Sequence, residues 1–123
     1  MKILIVVEDD PDVRLLIETI FSMDSRFAIP SSAESAEHAL EAVRTEKPNI
    51  IVLDHGLGKL TGLEAARRLK ELAPQTKIIM FTARAELEAR TKDEPAIDAF
   101  LLKTDTAELL PLAQELTDML SLI

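Results

Sequence analysis

Short apolar runs alternate with stretches of helical periodicity along the whole chain. Four runs are strongly apolar and rich in β-branched residues, namely KILIVV (2–7), NIIVL (49–53), KIIMF (77–81) and AFLL (99–102). Runs of this kind are typical of strands buried in a parallel sheet. A weaker run at 27–30 predicts one further strand at an edge of the sheet, where proline is tolerated.

Each segment between these runs predicts a helix, because its apolar residues recur every three or four positions. The first helix begins at Pro11 behind the capping residue Asp10, and the second begins near Ser35. The third follows Gly62, and the last begins near Asp105. The residues predicted to face the core are Val13, Leu16, Ile17, Ile20 and Phe21; Ala36, Ala39, Leu40 and Val43; Ala65, Ala66, Leu69, Leu72 and Ala73; and Leu109, Leu112, Ala113, Leu116 and Leu120.

Two prolines limit the helices in the second half of the chain. Pro111 should bend the first turns of the last helix or delay its start. Residues 84–98 carry few periodic apolar side chains, and Pro95 stops any helix before the last strand, so only a short, poorly anchored fourth helix is predicted. Alternating strands and helices predict an α/β fold, a doubly wound parallel sheet covered by helices on both faces.

The overall composition excludes several functional classes. The 123 residues are enough for one domain with a core, which we predict to span 1–123. A formal charge of −8 argues against a nucleic-acid surface, and the absence of cysteine excludes disulfides and thiolate ligands. The longest apolar run is too short to span a membrane, and the first residues lack the pattern of a signal peptide, so a cytoplasmic location is expected.

Six polar residues stand directly after the predicted strands: Glu8, Asp9, Asp10, Asp54, Thr82 and Lys103. Parallel strands end at one edge of a sheet, and open α/β sheets bind ligands at that edge. Three ionised carboxylates in one pocket need a counter-charge, which a lysine and a hard cation with oxygen ligands would supply. The pattern therefore predicts a small acidic pocket suited to phosphate and metal chemistry.

Four of these residues also have a plain structural interpretation, whereas Glu8 and Asp9 do not. Asp10 can cap the first helix, and Asp54 can be a turn residue. The Thr82 hydroxyl can bond to the backbone, and Lys103 can be a solvated strand end.

The loop after Asp54 contains further candidates. Gly56 and Gly58 would let backbone carbonyls approach closely enough to act as ligands. Neither His38 nor His55 has a second histidine or cysteine at ligand spacing, so surface roles are expected for both.

The whole chain, in order, resembles the receiver domain of two-component response regulators. The resemblance rests on four segments, ILIVVEDDPDVR (3–14), IIVLDHGLGKLTGLE (50–64), IIMFTAR (78–84) and AFLLK (99–103). It implies a flavodoxin-like (βα)₅ fold whose five parallel strands have the order 2-1-3-4-5. It also implies that Asp54 accepts a phosphoryl group, and that Glu8, Asp9 and Asp54 hold Mg²⁺ together with the backbone carbonyl of Gly56.

The resemblance assigns the remaining polar positions to switching, and here the chain departs from the family. Thr82 and Lys103 would hold phosphoryl oxygens, and Phe100 would occupy the aromatic switch position, without the hydroxyl of a tyrosine. Family members often have proline at the positions of Gly58 and Thr104, and at the second a cis bond helps to aim the lysine. The interval from Thr82 to Lys103 is one residue short.

The function implied is a phosphorylation-controlled signalling switch that is not an enzyme for any separate substrate. Its partners would be a sensor histidine kinase or histidine phosphotransfer protein, and an output domain or protein that contacts the face of helix 4, strand 5 and helix 5. No direct nucleic-acid or membrane partner is expected.

Two alternatives remain open. A pseudo-receiver that is never phosphorylated would have the same fold and act as a protein-binding module. An Mg²⁺-dependent aspartyl phosphatase is a more distant alternative, because Gly56 stands where such enzymes usually carry a second acid.

Overall fold

Five strands and five helices alternate along the chain in the computed structural model, which describes residues 2–57 and 60–120. The strands of the main sheet are β1 (Lys2–Val7), β2 (Phe27–Ala33), β3 (Ile50–Leu53), β4 (Lys77–Thr82) and β5 (Ala99–Leu102). The helices are α1 (Pro11–Ser22), α2 (Ala36–Glu46), α3 (Gly62–Leu72), α4 (Glu88–Lys92) and α5 (Leu109–Leu120). Single 3₁₀ turns at Ala85–Leu87 and Thr106–Glu108 precede α4 and α5, and a two-stranded hairpin of Gly56–Leu57 with Leu60–Thr61 lies between β3 and α3.

All five strands of the main sheet are parallel, in the order β2-β1-β3-β4-β5. This confirms the predicted flavodoxin-like, doubly wound α/β fold. Pairing is regular in the centre, where Leu4 lies opposite Ile50 and Ile50 lies opposite Lys77. The carboxyl ends of β1, β3 and β4 therefore reach the same edge of the sheet.

Strand β2 is an edge strand, as predicted, but it extends three residues beyond the predicted end, to Ala33. Its register against β1 shifts between the pairs Ile3–Ala28 and Ile5–Ser31. The extra residue on β2 forms an irregularity around Pro30, which has no N–H to donate. The strand then resumes its pairing, which sequence periodicity does not reveal.

The core has two layers, one on each face of the sheet. One layer packs β1, β3 and β4 against α2 and α3, and the other packs them against α1 and α5. Most of the predicted core positions are buried or partly buried, but Leu16 (47% exposed) and Leu72 (42% exposed) are not. Leu16 is adjacent to Ile17 and therefore lies about 100° around α1 from it, whereas Leu72 is the last residue of α3. The side chain of Leu120 lies outside the described part of the chain.

Helix termini follow the signals in the sequence. Asp10 caps α1 by accepting a hydrogen bond from the Asp12 N–H, and Ser35 caps α2. Pro111 is the third residue of α5, and the 3₁₀ turn before the helix delays its start to Leu109, as predicted. A proline in the first turn costs no helical hydrogen bond, because that N–H has no acceptor within the helix.

The segment 84–98 contains the short fourth helix that was predicted, and the residues that follow this helix are anchored to α3, which the sequence did not indicate. Glu94 is largely buried, accepts a hydrogen bond from the Ala96 N–H at 3.1 Å and forms an ion pair with Arg67 of α3. Asp98 accepts a bond from Lys70 of α3 at 2.7 Å. These contacts join charged residues distant in sequence, which apolar periodicity does not detect.

We predict that the two halves of this segment differ in local stability. Residues 85–92 have mostly exposed side chains, whereas residues 94–98 are attached to α3 and β4. Amide hydrogen exchange should therefore be faster in 85–92 than in 94–98, because local opening follows buried contact. The Arg67→Ala variant should accelerate exchange at 94–98 and leave 85–92 nearly unchanged; equal protection of both halves would contradict this division.

Candidate functional site

The main chain continues its hydrogen-bond ladder just beyond three strands, and this positions the predicted polar residues. The Glu8 N–H donates to the Ala33 carbonyl at 2.9 Å, and the Asp54 N–H donates to the Val7 carbonyl at 3.1 Å. The Lys103 N–H donates to the Thr82 carbonyl at 2.9 Å. The backbones from which Glu8, Asp54 and Lys103 extend are therefore fixed by the sheet itself.

Three carboxylates converge at this edge, and their arrangement suits a metal ion. One oxygen from each of Glu8, Asp9 and Asp54 lies within 4.8 Å of the others. Glu8 is buried, Asp54 is partly buried and Asp9 is exposed, so the group is open to solvent on the side of Asp9. Carboxylate oxygens are the ligands that a hard divalent cation such as Mg²⁺ prefers, so the donor set fits that ion.

Lys103 provides the positive charge that these acids require. Its Nζ lies 2.8 Å from Glu8 Oε1 and 3.3 Å from Asp54 Oδ2. Burial alone would lower the pKa of Lys103, but the contact of its ammonium group with the Glu8 carboxylate and the charge of Asp54 outweigh burial and raise the pKa. The lysine is therefore firmly protonated where it faces the acids.

Glu8 is the most constrained of the acids, with 1% of its surface exposed. Burial raises the pKa of Glu8, and the nearby charge of Asp54 acts in the same direction. The contact with Lys103 and the hydrogen bond from the Asp10 N–H at 3.2 Å lower it only in part. Charged Glu8 is thus less stable in the folded protein than in water.

Asp54 is held by two donors that occupy different carboxylate oxygens. The His55 N–H donates to Asp54 Oδ1 at 2.8 Å, while Oδ2 faces Lys103. Its side chain keeps 12% of its surface exposed. The carboxylate is thereby oriented but still open to a reactant.

Gly62 fixes the loop that carries Asp54, a role that the sequence analysis missed. Thr61 and Glu64 form a capping box at the start of α3, and the Gly62 N–H donates to the His55 carbonyl at 2.7 Å. A Cβ at residue 62 would lie 2.6 Å from both the Asp54 carbonyl oxygen and His55 Cα. Only glycine allows this close approach. The capping box directly around it was the available signal.

A Cβ added at Gly56 would meet no atom within 4 Å, so packing does not require glycine there, and the role of its carbonyl as a ligand stays a prediction. Gly58 lies outside the described residues.

Within residues 2–57 and 60–120, no hydrogen bond joins Thr82 to Glu8, Asp9 or Asp54, and Phe100 has no polar group to form one. Thr82 is buried at the end of β4, and its Oγ1 accepts a hydrogen bond from the Arg84 N–H at 3.2 Å. This is the plain backbone-bonding role considered above. Phe100 lies opposite Met80 on the neighbouring strand, is partly buried and packs against the core layer of α2 and α3.

Thr104 does not prevent Lys103 from reaching the acids. No peptide bond among residues 2–57 and 60–120 is cis. The bond between Lys103 and Thr104 is therefore trans, and the ammonium group still contacts both Glu8 and Asp54.

The two histidines differ. The His38 side chain is 59% exposed beside Glu34, as expected for a surface residue. The expectation for His55 is wrong, because it is only 6% exposed and its Nδ1 has no hydrogen-bond partner among the described residues. Burial, followed by the charges of Arg84 and Arg90, lowers the pKa of His55. The His55 carbonyl accepts the Gly62 N–H, so the burial of His55 goes with a contact to the start of α3 that a ligand-spacing argument does not detect.

A family model described as the response regulator receiver domain matches residues 4–114. Protein-glutamate methylesterase/protein-glutamine glutaminase 1 of Syntrophus aciditrophicus (strain SB) is 39% identical over 83 residues, which cover 68% of this chain and 23% of that protein. The transcriptional activator protein ExaE of Pseudomonas putida is 31% identical over 84 residues, which cover 68% of this chain and 39% of that protein. The chain thus spans less than half the length of these curated relatives.

A solved structure shares the fold over nearly the whole chain. Response regulator protein TrrA from Thermotoga maritima, in complex with Mg²⁺ and beryllium fluoride, is 26% identical with a TM-score of 0.84. The match covers 94% of this chain and 99% of that chain.

We predict opposite outcomes for alanine at the two described glycines of the loop. Gly62→Ala should lower the free energy of unfolding by about 1–3 kcal/mol, because the new methyl group must displace backbone. Gly56→Ala should change it by less than about 0.5 kcal/mol. Urea denaturation of both variants tests this, and equal stabilities would contradict the close approach at Gly62.

A second prediction concerns the cost of the buried Glu8 charge. Because its pKa is raised, ionisation of Glu8 removes stability as pH increases through and above the ordinary glutamate pKa of about 4.3. In the presence of a metal chelator, Glu8→Gln should therefore be more stable than the wild type at neutral pH, by on the order of 1 kcal/mol. The advantage should shrink below pH 4.

Glu94→Gln is a control with the opposite sign. The backbone bond from Ala96, followed by Arg67, lowers the pKa of Glu94, so its charge stabilises the fold above the ordinary glutamate pKa. This variant should lose stability at neutral pH and recover relative to the wild type as pH falls. If Glu8→Gln and Glu94→Gln shift stability in the same direction at neutral pH, the assignment for Glu8 is wrong.

Proposed function

The chain belongs to the response regulator receiver domain family, and on that basis we propose that it is a phosphorylation-controlled signalling switch whose phosphoryl acceptor is Asp54. The observation that carries the proposal is the position of the Asp54 carboxylate. It stands beside Glu8 and Asp9, within 3.3 Å of the Lys103 ammonium, with part of its surface open to solvent.

The phosphoryl donor is a phosphohistidine of a sensor histidine kinase or histidine phosphotransfer protein, or a small acyl phosphate. An Asp54 oxygen bonds to phosphorus while the N–P or O–P bond of the donor breaks. The electron pair of the broken bond stays on the nitrogen or oxygen atom of the donor. The carboxylates of Glu8, Asp9 and Asp54 and the carbonyl of Gly56 would hold Mg²⁺, which would stabilise the negative charge of the transferred group. The exposed side of the pocket beside Asp9 admits the donor.

Lys103 changes partner during the transfer. Before it, the ammonium contacts Glu8 at 2.8 Å and Asp54 at 3.3 Å. Once Asp54 carries the phosphoryl group as an acyl phosphate, its carboxylate charge is gone, and the ammonium bonds an anionic phosphoryl oxygen instead. Water later attacks phosphorus and releases phosphate, which regenerates the Asp54 carboxylate. The chain assists its own modification and converts no separate substrate.

The switch begins at Thr82. Its hydroxyl now accepts the Arg84 N–H, directly before the 3₁₀ turn that leads into α4. When that hydroxyl turns toward a phosphoryl oxygen it releases this N–H, and Phe100 takes up the space that becomes available. This changes the packing of the face formed by α4, β5 and α5, where an output domain or protein binds. Because Phe100 has no hydroxyl group, it takes part in switching only through a change in its packing.

The proposal also covers the cellular location of the chain, the partners it does not bind and the bounds of the domain. We place the chain in the cytoplasm, with no nucleic-acid or membrane partner, and we treat residues 1–123 as one receiver domain. No helix in the described residues is long and apolar enough to cross a membrane.

We predict that acetyl phosphate and Mg²⁺ add one phosphoryl group to the wild type, detectable by intact-mass measurement. Asp54→Asn should remain unmodified because it lacks the nucleophilic carboxylate. Asp9→Ala should react poorly and lose most of its Mg²⁺ affinity, because one of three carboxylates is removed. Lys103→Ala should retain Mg²⁺ binding but signal poorly.

The same experiment distinguishes the alternatives. A wild type that binds Mg²⁺ but is not modified by acetyl phosphate or by a range of histidine kinases favours the pseudo-receiver. Modification of Asp54→Asn would contradict the proposed acceptor. Steady hydrolysis of a phosphate ester by the wild type would favour the aspartyl phosphatase.

A further inference from the structure

Arg14 reaches from α1 back to the loop that carries the acidic residues. Its backbone N–H donates to the Asp10 carbonyl at 2.9 Å, as the first helical hydrogen bond of α1. Side chains on a helix lean toward its N-terminus. The Arg14 guanidinium accordingly donates to the main-chain carbonyl of Glu8 at 2.8 Å. An arginine of the helix thus binds the backbone of the acidic loop rather than a carboxylate.

The other polar groups of Glu8 have partners elsewhere. Its N–H donates to the Ala33 carbonyl, and its carboxylate oxygens contact the Lys103 ammonium and the Asp10 N–H. The carbonyl lies just beyond the end of β1, and no main-chain N–H of residues 2–57 and 60–120 donates to it. A buried carbonyl needs a donor, so Arg14 completes the set that holds Glu8.

Asp9 is the acid whose direction depends most on this contact. Within residues 2–57 and 60–120, the Asp9 carboxylate accepts no hydrogen bond and forms no ion pair, whereas Glu8 and Asp54 each have two donors. The Glu8 carbonyl and the Asp9 N–H belong to one planar peptide group. Fixing the carbonyl therefore fixes the plane from which the Asp9 side chain extends.

We propose that Arg14 is a positioning residue for the cation site, which it serves by orienting the Glu8–Asp9 peptide so that Asp9 faces Asp54. The inference rests on the proposed function, in which Asp9 is a metal ligand. Electrostatics alone would give the opposite result, because a guanidinium near the site repels a divalent cation. Removal of Arg14 therefore separates the two effects by the sign of the change in Mg²⁺ affinity.

The test is a Mg²⁺ titration of the full chain followed by nuclear magnetic resonance. Arg14→Ala should raise the dissociation constant on the order of ten-fold, the effect typical of losing a group that orients a metal ligand. Arg14→Lys keeps a charge and a donor and should restore most of the affinity. Arg68→Ala is the control, since it removes the same charge from an exposed position on α3 and should leave affinity unchanged. Unchanged or tighter binding by Arg14→Ala would overturn the proposal.

A second measurement keeps this test separate from the proposed function. Without metal, the amide resonance of Asp9 should shift or broaden in Arg14→Ala and return toward its wild-type position in Arg14→Lys. Circular dichroism confirms that the variants are folded. A wild type that fails to bind Mg²⁺ contradicts the proposed function, whereas an Asp9 amide indifferent to Arg14→Ala contradicts the positioning role alone.

Discussion

The contact between buried Glu8 and Lys103 constrains the whole carboxyl edge of the sheet. Glu8 follows β1 and Lys103 follows β5, with β3 and β4 lying between them. Neighbouring strands are about 4.8 Å apart, so the two backbones are separated by roughly 14 Å. Two long side chains that meet above the ends of β3 and β4 can span this distance. Asp54, which follows β3, is therefore drawn into the same ion pair.

Burial and mutual repulsion of the carboxylates in the acidic pocket destabilise the fold, and a bound cation would reduce this effect. Burial and Asp54 raise the pKa of Glu8, and Lys103 offsets this only in part. Lys103 does not depend on Glu8 alone, because the Asp54 carboxylate lies 3.3 Å from the same ammonium group and still compensates its charge when Glu8 is neutral. The close approach of negative charges lowers the free energy of unfolding when no metal is bound. The same close approach favours binding of a divalent ion among Glu8, Asp9 and Asp54. Under the proposed function, stability and cation affinity oppose each other at this site.

The sequence predicted those features that depend on local pattern or on parallel geometry. Apolar runs identified the strands, and Asp10 and Ser35 identified helix starts, because capping is a short-range interaction. The convergence of Glu8, Asp54 and Lys103 followed from the common direction of parallel strands. The close approach at Gly62, the burial of His55 and the anchoring of 94–98 by α3 were missed. Each of these depends on contact between segments whose relative placement only the folded chain defines.

The contacts of α3 also determine where a change at Thr82 can spread under the proposed function. Thr82 bonds to the Arg84 N–H, and a segment of mostly exposed residues begins there. This segment ends where Glu94 pairs with Arg67 and Asp98 pairs with Lys70. Asp98 also accepts the Ile78 N–H of β4 at 2.8 Å, which fixes the entry into β5. Movement that starts at Thr82 therefore meets a rigid boundary at 94–98. The 3₁₀ turn and α4 are the part of this face that can rearrange without breaking the contacts of α3.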